Sequence, residues 1–276
     1  MRATKVLLAS GIAIFAIFFF DAFALRGDSF DVIGGRSTGL RAFEFFGAVV
    51  SLYLLSRGRL GNASLLDWFG CASAILAASI GFAGSSITLF ALYLFIRGRG
   101  DLSTKAAATV AAAVAVQAVW APLVFSKISF VLLQIDAGVA GWLVSLFVPG
   151  ASWSGTVVST PSGHDVVIIE GCASFHNLSL ASLCWVTLSM LHRPYWVKSD
   201  FYIGLVAALI QFGFNICRLV LISLSLPMYE FWHQGLGKHV FAAVATACAI
   251  IFVQVSLVRR DQRDFHKAGL RVAAIS

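Results

Sequence analysis

Charged residues are scarce in this chain: of 276 residues, only 12% are Asp, Glu, Lys or Arg, whereas 59% are hydrophobic. Soluble domains carry about 25% charged residues, and a chain of this length cannot bury so large an apolar fraction in its own core. The composition therefore excludes a water-soluble protein and predicts an all-α polytopic membrane protein that contacts membrane lipids. The net charge of +7 does not indicate nucleic-acid binding in such a protein, and we expect none.

Several motifs are absent as well. The chain has no phosphate-binding loop, no dinucleotide fingerprint and no Gly-x-Ser-x-Gly sequence. No spacing of His, Cys and Asp matches a metal-ligand set. A detached soluble domain, a low-complexity tract and a convincing internal repeat are also missing. We therefore expect no cofactor and no metal, and a single integral-membrane domain over residues 1–276.

Apolar runs long enough to approach the thickness of a bilayer mark the candidate membrane spans. The eight predicted spans are Val6–Leu25, Phe43–Ser56, Leu65–Phe82, Ser85–Ile96, Ala106–Phe125, Cys172–Leu191, Phe201–Leu226 and His239–Val258. The third and fourth are predicted to be a tight helical pair broken around Gly81–Gly84, because one helix of their combined length would overshoot the bilayer. The first is expected to be a retained anchor rather than a cleaved signal peptide, because it is long and Asp21 stands beside the cleavage-like Ala22-Phe23-Ala24.

The run Ile128–Val148 is ambiguous, because it is long enough to cross the membrane yet carries polar residues that suit an interfacial helix. If it does not cross, both termini are cytoplasmic. Fourteen of the twenty Lys and Arg residues then lie inside, five lie outside, and Arg218 lies within a span. The positive-inside rule favours this arrangement. We therefore predict five spans in residues 1–126, an extracytoplasmic interfacial helix and hairpin in 127–171, three spans in 172–258 and a cytoplasmic basic tail in 259–276.

A polar excursion interrupts the apolar pattern before the sixth span. Two β-branched runs, Thr156–Thr160 and Val166–Ile169, flank the turn-forming segment Pro161–His164 and predict a short extracytoplasmic β-hairpin. Cys172 follows directly and is predicted to open the next helix at the water boundary. The helix dipole and a nearby cation would favour its thiolate there. The alternatives are simple packing, or a disulfide with Cys217 on the oxidising side.

Arg218 is the strongest single signal for function, because a guanidinium deep in an apolar helix is costly and faces a bundle interior or a wet cavity. The alternative is a structural role. Arg218 would then pair with Glu44, Glu170 or Glu230, or extend its charged end to the outer headgroups.

Histidines on the predicted outer face supply a proton carrier. His233 lies in the loop before the last span, His239 begins that span, His164 is in the hairpin turn, and His176 follows Cys172 by four residues, on the same face of the predicted helix. Together with Cys172 and Arg218, a histidine makes a Cys–His–Arg site plausible. In such a site the thiolate attacks a carbonyl, the histidine moves protons and the arginine stabilises the oxyanion.

These residues, in this order, resemble the exosortase/archaeosortase family of integral-membrane cysteine transpeptidases, over roughly the last half of the chain. That family places its cysteine after a β-rich segment, its arginine three residues after an asparagine on the next helix, and its histidine four residues before a glycine. The matching segments are Val166–Cys172, Asn215-Ile-Cys-Arg218 and His233-Gln-Gly-Leu-Gly237. The resemblance implies Cys172, Arg218 and His233 as catalytic residues, with His239 a rival for the histidine and with Asn215, Glu170 and His176 as possible accessory residues.

The chain departs from the family's usual Cys-Ser-Gly, because Cys172-Ala173-Ser174 stands there, followed by Phe175-His176-Asn177. This departure indicates a divergent subfamily. The resemblance implies an enzyme of a bacterial or archaeal cytoplasmic membrane whose site faces the extracytoplasmic side. Its substrates would be secreted proteins with a C-terminal motif, hydrophobic helix and basic tail. They would be cleaved and transferred to an unknown surface acceptor, often in connection with exopolysaccharide production. The alternatives are a non-catalytic component of polysaccharide assembly or export, and a transporter, for which the broken helical pair at Gly81–Gly84 is the supporting feature.

Overall fold

The computed structural model describes residues 2–24 and 38–273, and these residues are mainly helical. The helices in this part of the chain are α1 Ala3–Ala24, α2 Thr38–Ser56, α3 Leu65–Ala77, α4 Ala83–Arg97, α5 Leu102–Ala115, α6 Ala121–Phe147, α7 Ser174–His192, α8 Lys198–Leu224, α9 Leu226–Tyr229 and α10 Leu236–Ala273. The strands are β1 Ser152–Ser154, β2 Val157–Ser159 and β3 Asp165–Val167.

Five helical stretches among the described residues are long and apolar enough to cross a membrane. They are Ala3–Asp21, Leu65–Arg97, Leu102–Phe147, Lys198–Leu224 and Leu236–Asp264. A shorter apolar stretch, Ala42–Ser56, lies in α2. Proteins in water rarely expose so much apolar helix surface. The predicted class, an all-α polytopic membrane protein, is therefore confirmed.

Helices α3 and α4 fold back on each other, as the sequence predicts. A turn over Ala78–Phe82 joins them, and its backbone is non-helical at Ile80 and Gly81. Gly81 adopts φ 94°, a conformation that L side chains rarely adopt. The far ends of the two helices meet, because Tyr93 Oη and Arg97 Nε both donate to Asp67 Oδ1, at 2.5 and 3.0 Å. Asp67 also accepts from the backbone N–H of Ser64 and so caps α3. The pair is therefore an antiparallel helical hairpin.

Helices α5 and α6 run on from one another through a π-helical turn, Val116–Trp120, and form one helix of 46 residues, Leu102–Phe147. At about 1.5 Å per residue this helix is about 69 Å long, more than twice the thickness of a hydrocarbon core. Pro122 lies just after the π-helical turn, which accommodates its missing N–H without ending the helix. The helix is thus continuous at residues 126–127, where the sequence predicts that one span ends and an interfacial helix begins.

The three strands form an antiparallel sheet in the order β1-β2-β3. Strand β2 lies within the first β-branched run of the sequence, and β3 overlaps the start of the second. Val158 and Val166 are paired across these strands and are buried. Trp153 of β1 packs on Gly141 of α6, where an added Cβ atom would come within 2.6 Å of Trp153 Cβ and 2.9 Å of the indole. The small residue on α6 therefore lets the sheet dock closely, and this docking brings the segment after β3 against α8.

The far ends of α7, α8 and α10 meet in a group of ion pairs. Arg193 pairs with Asp261 and Asp264, and the buried Arg260 pairs with the buried Asp200. Helix α10 continues through this region, so that the predicted basic tail begins inside a helix rather than after one. These charges lie at the end of α8 that is opposite to Asn215, about 22 Å away by the rise per residue.

Candidate active site

Cys172 lies in a short 3-10 turn, Glu170–Cys172, and is only 2% exposed. Its N–H donates to Ile169 O at 2.8 Å. Ala173 is extended (φ −64°, ψ 139°), and α7 begins one residue later, at Ser174. The prediction that Cys172 opens this helix is therefore wrong, because the extended Ala173 separates the turn from it. His176 is consequently not one helical turn from Cys172 on a shared helix face.

Asn215 ties this turn to α8. Its Nδ2 donates to Cys172 O and to Ser174 Oγ, at 2.9 Å each. Its Oδ1 accepts from Asn177 Nδ2 at 3.2 Å. Because Asn215 is buried, these bonds replace those it would otherwise make to water. The segment that follows the thiol is thus fixed to the helix that carries Arg218, three residues further on.

His233 is the histidine that contacts the thiol. Its Nδ1 lies 3.7 Å from Cys172 Sγ, and it belongs to a π-helical turn, Glu230–Gln234, between α9 and α10. The imidazole stacks on the Tyr229 ring, with ring centroids 4.7 Å apart. His239 is exposed at the start of α10. Of these two rivals from the sequence, the structure therefore brings His233 to the cysteine.

The hairpin turn supports the loop that carries His233. His164 packs edge-on against Tyr229, with ring centroids 5.9 Å apart. Its Nε2–H donates to Ile222 O at 3.0 Å. Ile222 is in the last turn of α8, where carbonyl groups lack intrahelical partners. His164 thus caps α8 and at the same time holds the aromatic ring on which His233 rests.

Arg218 is half-buried, and its Nε has no hydrogen-bond acceptor within the described residues. Over the same residues it forms no ion pair with a carboxylate. Glu170 and Glu230, two of its predicted structural partners, are exposed. A buried donor without a partner costs about 1–3 kcal/mol. The Arg218 guanidinium is therefore available to an acceptor on a bound molecule.

The electrostatics of the site favour neutral groups at rest. Burial raises the pKa of the Cys172 thiol, although the positive charges of Arg218 and Lys238 oppose the shift. Burial lowers the pKa of His233, and the same two cations lower it further. At neutral pH the resting pair is therefore a thiol and a neutral imidazole. The sequence expectation that dipole and cation produce a resting thiolate is wrong, because the cost of burying the charge is larger.

A disulfide between Cys172 and Cys217, one of the alternatives that the sequence left open, is absent. All five cysteines lie in the part of the chain that the structure describes, and all are free thiols. Cys172 is buried, whereas Cys217 is exposed. Cys172 is therefore a buried free thiol.

Sequence reasoning missed two charged residues near the thiol. Lys238, next to His239, contributes positive charge to both Cys172 and His233. Asp136 on α6 is 3% exposed, and its Oδ2 accepts from the N–H of Ser174 at 2.7 Å. Asp136 could have been recognised as a carboxylate within an apolar run, but a carboxylate there also suits an interfacial helix.

The fold and the site together define an integral-membrane protein whose helices bring a thiol, an imidazole and a guanidinium to one end of a bundle. A family model described as transmembrane exosortase matches residues 7–251. The chain therefore belongs to the transmembrane exosortase family, which confirms the resemblance seen in the sequence. No curated protein and no solved structure matches the chain.

Proposed function

We propose that this exosortase-family membrane protein is a cysteine transpeptidase with Cys172 as nucleophile, His233 as acid and base, and Arg218 as oxyanion stabiliser. The observation that carries the proposal is the contact of 3.7 Å between Cys172 Sγ and His233 Nδ1. The Arg218 guanidinium, which acts on both groups and has a free Nε donor, supports it. A nucleophile, a base and an anion-binding donor from three separate segments form the minimal set for acyl transfer.

The chemistry follows from this set. Nδ1 of His233 takes the thiol proton while Sγ bonds to the carbonyl carbon of the scissile peptide, and the resulting oxyanion faces Arg218. The intermediate collapses, the C–N bond breaks, and His233 returns the proton to the leaving amine. A thioester on Cys172 remains. An acceptor nucleophile then loses its proton to His233 and attacks the thioester, and the thiol recovers that proton as it leaves.

The substrates in this proposal are secreted proteins with a C-terminal motif, a hydrophobic helix and a basic tail. They are joined to an acceptor on the cell surface, in connection with exopolysaccharide production. In this proposal, the eight-span topology predicted from the sequence would put the site on the extracytoplasmic side of a bacterial or archaeal cytoplasmic membrane. The concentration of Arg193, Arg259, Arg260 and Arg263 at the other end of α8 and α10 supports this orientation. A substrate helix that enters sideways from the bilayer would keep its basic tail at that end.

The test is co-expression with a tagged secreted protein that ends in such a signal. Cys172→Ser, His233→Ala and Arg218→Ala should each abolish processing, as followed by the size of the tagged protein. Cys217→Ser removes the exposed thiol beside Arg218, and His239→Ala removes the rival imidazole. Both controls should process at the wild-type rate. Wild-type processing by Cys172→Ser would end the proposal.

The alternative is a non-catalytic component of polysaccharide assembly or export, in which Arg218 binds an anionic lipid-linked glycan. The free Nε donor of Arg218 would serve this role equally well. The two functions differ in what they need from the thiol. If Cys172→Ala retains polysaccharide output while Arg218→Ala loses it, the alternative replaces the enzyme.

A further inference from the structure

The N-terminus of α7 is capped by a different helix. Ala173, which precedes the helix, has no side chain that can accept a hydrogen bond, and the first helical N–H, that of Ser174, is buried. The carboxylate of Asp136 on α6 accepts from this N–H at 2.7 Å. Asp136 is itself almost completely buried and so is held in place by its surroundings. Helix N-termini prefer such a negatively charged acceptor.

Asp136 and Asn215 hold the cysteine segment from two sides. Asn215 on α8 binds the carbonyl of Cys172 and the hydroxyl of Ser174, while Asp136 on α6 binds the N–H of Ser174. Ala137, beside Asp136, is fully buried in the cluster that also contains Cys172. The small side chain lets α6 approach closely enough for the carboxylate to reach. The segment from the Cys172 carbonyl to Ser174 is thus anchored to both α6 and α8.

We propose that Asp136 is a positioning residue for Cys172: its carboxylate fixes the start of α7 and thereby holds the thiol within reach of the His233 imidazole. This inference rests on the proposed function, because positioning matters only if the thiol reacts. The extended Ala173 explains the need for such an anchor. It breaks the helical hydrogen bonding between the cysteine turn and α7, and side chains from α6 and α8 hold the two in register.

The charge of Asp136 has a separate effect from its position as an acceptor. The charged and titratable groups around the thiol are Arg218 on α8, His233 before α10, Lys238 on α10 and Asp136 on α6, with Glu170 and His176 on the cysteine's own segment. The negative charge of Asp136 opposes ionisation of the thiol. An asparagine can accept the same N–H without the charge. Asp136→Asn therefore separates the two effects.

The experiment measures two quantities on the full-length protein in membranes. The first is the rate at which iodoacetamide modifies Cys172, followed by mass spectrometry of its peptide as a function of pH. The second is processing of a tagged substrate. Asp136→Asn should keep processing close to wild type and move the modification profile to lower pH. Asp136→Ala, which lacks the acceptor, should lower kcat about 100-fold, the order of loss for a catalytic group displaced by about 1 Å.

Asp101→Asn is the matched control, because Asp101 caps α5 by accepting from Thr104 N–H at 2.8 Å but is not among the groups that act on Cys172. It should leave both readouts unchanged. Processing by Asp136→Ala at the wild-type rate overturns the inference, as does a loss of processing in Asp136→Asn as large as that in Asp136→Ala. If Asp136→Ala does not fold, Asp136→Asn still decides, because it keeps the acceptor for the N–H of Ser174: a large loss of processing in folded Asp136→Asn overturns the inference. Failure of the proposed function is distinguishable, since it appears as processing by Cys172→Ser.

Discussion

Replacing Asn215 with alanine would release the cysteine segment from α8. The substitution removes both donated bonds of 2.9 Å, to Cys172 O and Ser174 Oγ, and the acceptor of Asn177 Nδ2. The Cys172 carbonyl is buried and would be left unpaired, at a cost of about 1–3 kcal/mol. The larger effect should be on catalysis. A thiol that shifts by about 1 Å from His233 should lose roughly 100-fold in processing rate.

Gln211→Ala is the matched control, because Gln211 is a buried amide on the same helix whose Nε2 donates to Ala245 O at 2.9 Å, away from the site. Thermal unfolding in detergent should show that both variants are destabilised to a comparable degree. The processing assay should then separate them, with Asn215→Ala strongly impaired and Gln211→Ala close to wild type. If the two variants process substrate equally fast, Asn215 is only a structural amide.

Three further outcomes follow from the site and the fold. Because the pKa of His233 in the folded protein is below its ordinary value of 6.5, the contribution of His233 to stability is present above pH 6.5 and declines as the pH falls below it. The acid limb of the pH–rate profile for processing should likewise have its midpoint below pH 6.5. An acid limb with its midpoint above pH 6.5 would contradict the burial argument. Arg218→Gln removes a positive charge that lowers the pKa of His233, so that the acid limb of the pH–rate profile should move to higher pH and the processing rate should drop by about 10²–10³. An acid limb that does not move would place the guanidinium away from the imidazole. Gly81→Ala should lower the free energy of unfolding by about 1–3 kcal/mol because of the positive φ alone. Gly61→Ala, with equally open surroundings and no positive φ, should lower it much less. Equal melting temperatures of the two variants would refute the argument that the turn at Gly81 requires glycine.

The amino-acid sequence by itself determined the class of protein and the order of its reactive groups. Scarce charge and long apolar runs specify a helical membrane protein, because the bilayer acts on each residue through its hydropathy, which is a local property. The helical hairpin at Gly81 was also predictable, since length and glycine are both visible in the sequence. The spacing of Cys172, Arg218 and His233 was enough to indicate the exosortase family, which the family match confirms.

Only the tertiary structure decided how these groups meet and how they are charged. The sequence favoured His233 and kept His239 as a rival, and the turn before α10 brings His233 to the thiol. Sequence also favoured a thiolate at a helix N-terminus, whereas the packing of α6, α8 and the sheet around Cys172 keeps it protonated. Asp136 is 38 residues from Ser174 along the chain, yet it caps α7. The burial of a side chain and its distance from other groups depend on residues far apart in the sequence, so that no local sequence pattern predicts them.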